Sequence, residues 1–294
     1  MNNAGFELVG FKKEKQQTIT PVKYKKKKPY VSIVVFIVLT LLCVFAELIM
    51  TKEPTYMDLG NCSVAPNKEF LFGTDTLGRD IFSMIWYGGR ISLLVGFLAT
   101  VISTLIAVIF GSLSGLASDW VDSILMRFTE IFLSIPNLLL TILLQAIIGE
   151  ASVVSISVVI GLTSWTSIAK VVRTEVRQIR SSEYVIASRA MGGNFFHILW
   201  HHLTPNFISS IMFMVVMNIR SAIVAESTLS FMGIGLPIEI VSWGSMFSMA
   251  ERAMLTESWW IILVPGLFLV VTLLCITNIG NWIRASANKK QSIL

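Results

Sequence analysis

Charged side chains are scarce in this chain. Asp, Glu, Lys and Arg make up 14% of its 294 residues, whereas 54% of the residues are hydrophobic and the mean hydropathy is +0.73. Globular domains in water carry about 25% charged residues, so the composition excludes an ordinary soluble protein. The sequence therefore predicts an integral membrane protein before any motif is considered.

The usual signatures of catalysis and cofactor binding are also missing. The sequence has no G-x4-G-K-[ST] phosphate loop, no H-E-x-x-H zinc motif and no G-x-S-x-G nucleophile elbow. Of its three cysteines, Cys43 and Cys275 lie in apolar runs and Cys62 lies outside them, which excludes a disulfide framework. We predict no catalytic residue, no metal site and no cofactor bound by the chain itself.

The apolar residues are gathered into runs that are long enough to cross a bilayer. A helix needs about 20 residues to span a hydrocarbon core of roughly 30 Å. We therefore predict an all-α integral membrane protein with six transmembrane helices, at 31–50, 91–117, 128–149, 151–169, 207–229 and 259–280.

The positive charges set the orientation of these helices. Of the 23 Lys and Arg residues, 17 fall in four segments that an even number of spans places on one side, and five fall on the other side. The positive-inside rule puts the richer side in the cytoplasm, so both termini are predicted to be cytoplasmic and the protein to be multi-pass in the cell (inner) membrane. The KYKKKKP run is predicted to fix this topology; anionic lipid headgroups are the alternative partner, and no fold signal supports nucleic acid.

These features divide the chain into segments. A basic cytoplasmic arm (1–29) precedes the first transmembrane helix (30–50). In the external segment that follows, Asp75 or Thr76 is expected to cap a helix that leads to the second span. The rest is a five-helix core with a large cytoplasmic loop. The predicted boundaries after the first helix are 51–90 for the external segment, 91–284 for the core, 170–206 for the loop and 285–294 for the cytoplasmic tail.

Arg220 is the charged residue placed most centrally in an apolar run, and such residues are costly. Arg220 is expected either to line a polar path between the helices, where it would attract a carboxylate or another anion, or to form a structural ion pair with another helix or subunit. Glu226 is six residues further on and does not share its helix face. Small residues four apart in the second run predict close packing, either within the chain or between two subunits: Ala99, Ser103, Ala107, Gly111 and Gly115.

The sequence of the cytoplasmic loop is typical of a segment that couples two spans mechanically rather than one that carries out chemistry. Residues 170–190 are predicted to continue the fourth helix, Gly192 and Gly193 to end it, and Pro205 to begin the next span. A basic stripe along this helix is expected to meet headgroups or an acidic partner: Lys170, Arg173, Arg177 and Arg180. His197 and His201 share a helix face, but no third ligand is nearby in sequence, so packing is favoured over zinc binding.

Four blocks in order resemble one permease of the dipeptide, oligopeptide and nickel ABC importers. They are FGTDTLGRDIFSMIWYGGRISL (72–93), the loop EYVIASRAMGGNFFHILWHHLTPN (183–206), AESTLSFMGIGLP (225–237) with SWGSM (242–246), and WWIILVPGLFLVVTLLCITNIGNWIR (259–284). The second block is similar to the EAA loop of these permeases. Ser188 where alanine is usual, and Leu203-Thr204-Pro205 where Ile-Leu-Pro is common, are departures, as is Arg220, which points away from a typical neutral dipeptide.

The resemblance implies a type I ABC importer permease fold and a set of partners. These are a second homologous permease, two ATPase subunits that bind and hydrolyse the ATP, and an extracytoplasmic solute-binding protein. It implies transport of peptides, with nickel or a metal chelate as the alternative solute and a channel or secondary transporter as a distant alternative. The implied ATPase-coupling residues are Glu183, Ala187, Ser188, Ala190, Gly192, Gly193, Leu203 and Pro205, and the predicted pathway residues are Arg220 and Glu226.

Overall fold

The computed structural model describes residues 28–291, and over that range the regular structure is helical. The basic run up to residue 27 and residues 292–294 lie outside the described part, so the expectations for the arm and for the end of the tail are not addressed. The helices are α1 Tyr30–Val44, α2 Ala46–Ile49, α3 Ile81–Leu116, α4 Asp119–Ser134, α5 Asn137–Ile148, α6 Val153–Thr163, α7 Thr166–Ile179, α8 Glu183–Ala190, α9 Phe195–Ile198, a π-helical turn Leu199–Leu203, α10 Thr204–Phe231, α11 Trp243–Phe247, α12 Ala250–Leu255 and α13 Trp260–Gln291.

Three continuous helices are long and apolar enough to cross a membrane. They comprise α3, the stretch Phe195–Phe231 that ends with α10, and α13 up to Ser286. Two further helix pairs are bent at a break, and each is either one broken span or a re-entrant loop: α4 and α5 meet at 91°, and α6 and α7 meet at 48°. By length and composition the described chain therefore has three to five spans, besides the shorter apolar helix α1 of 15 residues.

The sharper break follows from Pro136. Ile135 is extended (φ −96°, ψ 130°) and Pro136 precedes the first residue of α5. A proline has no N–H for the preceding turn, and it drives the residue before it out of the helical region. The sequence predicts a kink at Pro136; the structure instead has two helices nearly at right angles. Pro265, in contrast, lies inside the continuous helix α13.

Helix α3 is the centre of the fold and packs against α6, α7 and α10. Its small residues allow the close approach to α7, because a Cβ on Gly111 would lie 2.5 Å from the Ala169 carbonyl oxygen. A Cβ on Gly115 would lie 2.7 Å from a methyl group of Val176. The structure therefore supports packing within the chain, the first of the two alternatives for this row of small residues.

A folded cap covers one end of the bundle; we use this name for residues 51–80 together with 232–259. Arg79 and Asp75 form a buried ion pair of 2.7 Å, and Arg79 also donates to the carbonyl of Ile238. The indole of Trp260 donates to the carbonyl of Thr74 at 3.1 Å. The prediction that Asp75 or Thr76 is the N-cap residue of α3 is wrong. The N-cap residue is Asp80, whose carboxylate accepts a hydrogen bond from the N–H of Ser83.

The three cysteines differ in exposure. Cys43 is buried in α1 against α3, where its sulfur would lie 2.5 Å from a Cβ placed on Gly89. Cys275 is buried in α13, and Cys62 in the cap is exposed. All three are free thiols.

Candidate functional site: the connection between α7 and α10

The connection between α7 and α10 folds as two short helices at the end of the bundle opposite the cap. The expected single helix over 170–190 is wrong, because α7 ends at Ile179 and α8 begins at Glu183. Ser182 in between is extended (φ −70°, ψ 146°).

The segment 118–127, which lies between the second and third predicted helices and is expected to be a loop, is also mostly helical, because α4 begins at Asp119.

One side of α8 is anchored to the bundle. Val185 and Ser188 are buried, three residues apart on one helix face. Val185 joins an apolar cluster with Leu199, Leu203 and Phe207, all of which are fully buried. Of the predicted coupling residues, Ser188 and Leu203 therefore hold the connection in place.

The two glycines have different structural roles. Gly192 is in the left-handed region (φ +82°) and a Cβ there would meet no atom within 4 Å. Gly193 donates its N–H to the Ser188 carbonyl at 2.9 Å, and a Cβ on it would lie 2.8 Å from the same oxygen. Gly192 thus allows the backbone to turn after α8. Gly193 allows the backbone to pass close to the last turn of α8, at the Ser188 carbonyl.

The opposite side of the connection is exposed and mostly apolar. Among the predicted coupling residues, Glu183, Ala187 and Ala190 lie on this side. Large apolar side chains are exposed beside them, and Met191 is 82% exposed. We call this surface the exposed loop face; it comprises Glu183, Tyr184, Ile186, Ala187, Ala190, Met191 and Phe196. Exposed apolar surface of this kind is typical of a surface that another protein or the membrane covers.

The return from α8 is continuous with α10 rather than a separate amphipathic piece. Asn194 caps α9 by accepting from the N–H of His197 at 2.8 Å, and a π-helical turn leads directly into α10. Pro205 lies in the first turn of α10, where its missing N–H is not needed. The rings of His197 and His201 stack with centroids 4.4 Å apart. Among the described residues, no group of three His, Cys, Asp or Glu side chains is placed to hold a metal.

The basic stripe on α7 faces the protein itself. Arg173 and Arg177 both donate to Asp122 of α4, which is 2% exposed. Arg180 donates to the carbonyls of Gly115 and Ala117 at the end of α3. The expectation that these arginines meet headgroups or an acidic partner is therefore wrong, because carboxylates and carbonyls about fifty to sixty residues earlier in the chain bind them.

The two predicted pathway residues lie in different environments. Glu226 is fully buried and accepts hydrogen bonds from Ser92, Ser230 and Ser242, at 3.1, 3.0 and 2.7 Å. It thereby joins α3, α10 and the segment leading into α11. Arg220 is half-buried near the middle of α10 and, within residues 28–291, has no ion pair or hydrogen-bond partner. Sequence reasoning missed the serines around Glu226, because they are scattered over three elements.

A cavity of about 590 Å³ lies beside both helix breaks. α10 forms another of its walls, with Phe213, Met217, Asn218 and Ser221. Its polar groups are hydroxyls and amides, and no charged residue lines it. The polar lining residues are Asn137, Thr163, Ser164, Thr166, Ser167, Asn218 and Ser221. Helix breaks at membrane depth are tolerated where they are enclosed by protein or line a cavity. Apart from Pro136, no pattern in the sequence predicts this grouping.

Comparison with known proteins identifies the family. Residues 107–290 match the family model described as "Binding-protein-dependent transport system inner membrane component". The chain is 34% identical over 264 residues to the oligopeptide transport system permease protein OppC of Bacillus subtilis, covering 90% of this chain and 86% of that protein. It is 34% identical over 266 residues to the dipeptide transport system permease protein DppC of the same organism, covering 90% and 83%.

A solved crystal structure titled as an amino acid ABC transporter with histidines overlaps with 70% of this chain and 95% of its own, at 15% identity and a TM-score of 0.49. The sequence relatives and the family model cover the spans, the α7–α10 connection and the cavity together. The chain belongs to the family of inner-membrane components of binding-protein-dependent transport systems, the permeases of ABC importers.

Proposed function

We propose that this protein is the permease subunit of an ATP-driven importer of peptides. The observation that carries the proposal is the identity of 34%, over 90% of the chain, to permeases named for oligopeptide and dipeptide transport. A second permease would complete the pathway, an extracytoplasmic binding protein would deliver the peptide, and two ATPase subunits would bind and hydrolyse ATP. The permease itself would bind no cofactor.

The proposed topology has six spans with both termini in the cytoplasm. α1, α3, the pair α4–α5, the pair α6–α7, α10 and α13 would be the spans, and the cap would lie outside the cell membrane. The excess of Lys and Arg at the termini and in the 170–206 loop supports this orientation. The segments 1–29, 30–50, 51–90, 91–284 and 285–294 would then be arm, first span, external segment, core and tail.

The α7–α10 connection would couple the permease to the ATPase subunits. Support comes from its two-sided construction, because the buried side ties it to the bundle and the exposed loop face remains available to a partner. In this role Glu183, Ala187 and Ala190 would contact the ATPase. Ser188, Leu203 and Gly193 would hold the helix in place, with Gly192 and Pro205 setting its entry and exit. Closure of the ATPases would then shift the population between outward- and inward-facing states.

Nickel or a metal chelate is the alternative solute. The named relatives favour peptides, and the cavity beside the helix breaks is lined by hydroxyl, amide, thioether and aromatic groups without a cluster of metal ligands. A channel or secondary transporter is a distant alternative, which would not require a partner ATPase for uptake.

Two glycines provide a matched test of the coupling role. Gly192 and Gly149 both have a positive φ (+82° and +84°), and a Cβ on either would meet nothing within 4 Å. Gly149 lies between α5 and α6, outside the connection. Gly192→Val and Gly149→Val therefore each place a β-branched side chain at a strained, positive φ without a steric clash, at two different places.

The measurement is uptake of labelled di- and oligopeptides, with free and chelated radioactive nickel in parallel, by cells that express each variant in place of the native protein. We expect Gly192→Val to abolish peptide uptake at a normal membrane level of the protein, and Gly149→Val to retain most of it. Equal uptake by the two variants would exclude the coupling role. Uptake of nickel alone by the native protein would replace peptides with a metal as the solute.

A further inference from the structure

Arg220 is a cation in a span without a partner of its own. It lies near the middle of α10, and within residues 28–291 its guanidinium makes no ion pair and no hydrogen bond. The four buried carboxylates of the described residues bind other groups. Asp75 binds Arg79, Asp80 binds Thr51 and Ser83, Asp122 binds Arg173 and Arg177, and Glu226 binds serines.

An unpartnered guanidinium at this depth is unfavourable against lipid. Insertion scales give a cost of about 2.5–3.5 kcal/mol for arginine at the centre of a membrane helix, and such residues almost always face a bundle interior or a water-filled space. A helix surface with this residue in its middle is therefore expected to face a polar path or another subunit.

The neighbours of Arg220 on the helix show which surface this is. Met217 and Val224, three residues before and four after, share its face of α10. Met217 lines the cavity of about 590 Å³ beside the helix breaks. Val224 lines a second cavity of about 290 Å³, with Phe231 on the same helix and Phe247 of the cap. Arg220 itself lines neither cavity, but its position on α10 lies between residues that line the one towards the cap and residues that line the one beside the helix breaks.

The chemistry of these cavities leaves a role for a single cation. The larger one is lined by uncharged residues, among them Asn218 and Ser221 on either side of Arg220 in sequence. Amides and hydroxyls can hydrogen-bond a peptide main chain whatever its side chains are. They do not supply a counter-charge for a carboxylate, whereas a guanidinium binds carboxylates through paired, charge-assisted hydrogen bonds.

We propose that Arg220 binds the C-terminal carboxylate of the peptide as it passes from the cap end to the cavity beside the helix breaks. This inference rests on the proposed function and adds to it a preference, within the membrane, for peptides with a free C-terminus. The preference belongs to the permease and is separate from any selection by the binding protein.

The test uses the complete importer, with both permeases, the ATPases and the binding protein, in liposomes. The substrates are labelled trialanine and its C-terminal amide, each at a concentration that saturates the binding protein. The permease variants are native, Arg220→Gln, Arg220→Lys and, as a control, Arg127→Gln. Arg127 is an exposed residue of α4 that pairs with Glu130 and lines neither cavity.

In the native importer we expect trialanine to be transported faster than its amide. Arg220→Gln is expected to lower trialanine transport about tenfold or more, the effect of losing a charge-assisted hydrogen bond, and to leave the amide nearly unchanged. Arg220→Lys should retain part of the preference, and Arg127→Gln all of it. Because the binding protein is a separate chain, its affinities for the two peptides are the same in every sample.

A different result would overturn the proposal in a recognisable way. If Arg220→Gln lowers transport of both peptides equally, or the two permeases no longer co-purify, Arg220 pairs with the second subunit instead. If Arg220→Gln changes neither rate, no carboxylate is bound there. If the native importer transports neither peptide, the proposed function itself fails, and this inference fails with it.

Discussion

Asp122 and Arg173 form a bidentate ion pair between α4 and α7. The Nε atom of Arg173 is 2.6 Å from one carboxylate oxygen of Asp122, and its Nη2 atom is 2.5 Å from the other. Arg177, one turn further along α7, donates to the same carboxylate at 2.6 Å. Asp122 also accepts from the hydroxyl of Ser114 on α3. One buried carboxylate therefore fixes three helices at the end of the bundle where the α7–α10 connection begins.

Removal of Asp122 is expected to destabilise the protein strongly. Asp122→Ala leaves Arg173 without its carboxylate and leaves Arg177 with Asp119 alone. Breaking a fully buried pair costs about 3–5 kcal/mol, and because both arginines are partly exposed we expect a cost below that range. The measurement is the thermal unfolding midpoint of the purified protein in detergent. The control is Glu130→Ala, which breaks the exposed Arg127–Glu130 pair and should cost at most about 0.5 kcal/mol. Equal midpoints for the two variants would contradict a structural role for Asp122.

Glu226 is expected to tolerate an amide but not truncation. Glu226→Gln keeps a polar group within reach of the three serines, whose hydroxyls can reverse their hydrogen bonds. Glu226→Ala removes the acceptor of these three buried hydroxyl groups, at about 1–3 kcal/mol for each O–H that finds no other acceptor. We expect a normal yield of folded protein for the glutamine variant and a clearly lower yield for the alanine variant, measured by size-exclusion chromatography in mild detergent. Equal yields would show that the serines do not depend on Glu226.

The close approach of α3 and α7 predicts opposite effects for two glycine substitutions. Gly111→Ala would place a methyl group 2.5 Å from a backbone carbonyl oxygen, so the helices must separate. Gly266→Ala in α13 meets its nearest atoms at an ordinary 3.7 Å, and the residue gains about 1 kcal/mol in helix propensity. We expect a lower unfolding midpoint for the first variant and an unchanged or higher one for the second. The reverse order would contradict the packing described for α3.

The exposed loop face predicts a partner-specific effect of charge. Met191→Asp places a carboxylate on a side chain that is 82% exposed, so folding should be unaffected, but burial against an ATPase subunit becomes unfavourable. The matched control is Met254→Asp, at a methionine that is 71% exposed in the cap. We expect co-purification with the ATPase subunits to be lost in the first variant and kept in the second. Retention in both variants would exclude Met191 from the ATPase contact.

Local sequence rules predicted the three continuous spanning helices, but not the breaks between α4 and α5 and between α6 and α7, nor the contacts between helices. The apolar runs and the row of small residues in α3 carry their signal within one helix, so α3, α10 and α13 and the tight packing could be anticipated. Asp75 and Asp80 are equivalent as helix caps in sequence. The choice of Asp80 depends on Thr51, whose hydroxyl donates to it from 29 residues earlier.

The basic stripe of α7 shows the same limit. Its spacing indicates one charged helix face, and this face is the same whether the partner is lipid, another protein or Asp122. Which group binds the arginines of α7 depends on the position of α4, whose Asp122 lies about fifty residues earlier in the chain. The environment of Glu226 was equally hidden, because its serines come from α3, α10 and the residue before α11.

Because the three thiols differ in exposure, thiol labelling of the native protein can show which side of the membrane the cap faces. With Cys43 and Cys275 buried, a maleimide should modify the folded protein at Cys62, in the cap. If the cap is external, a membrane-impermeant maleimide added to intact cells or spheroplasts will label the protein at one site, and Cys62→Ser will remain unlabelled. Labelling only after the cells are lysed would invert the proposed orientation. No residue needs to be introduced for this measurement.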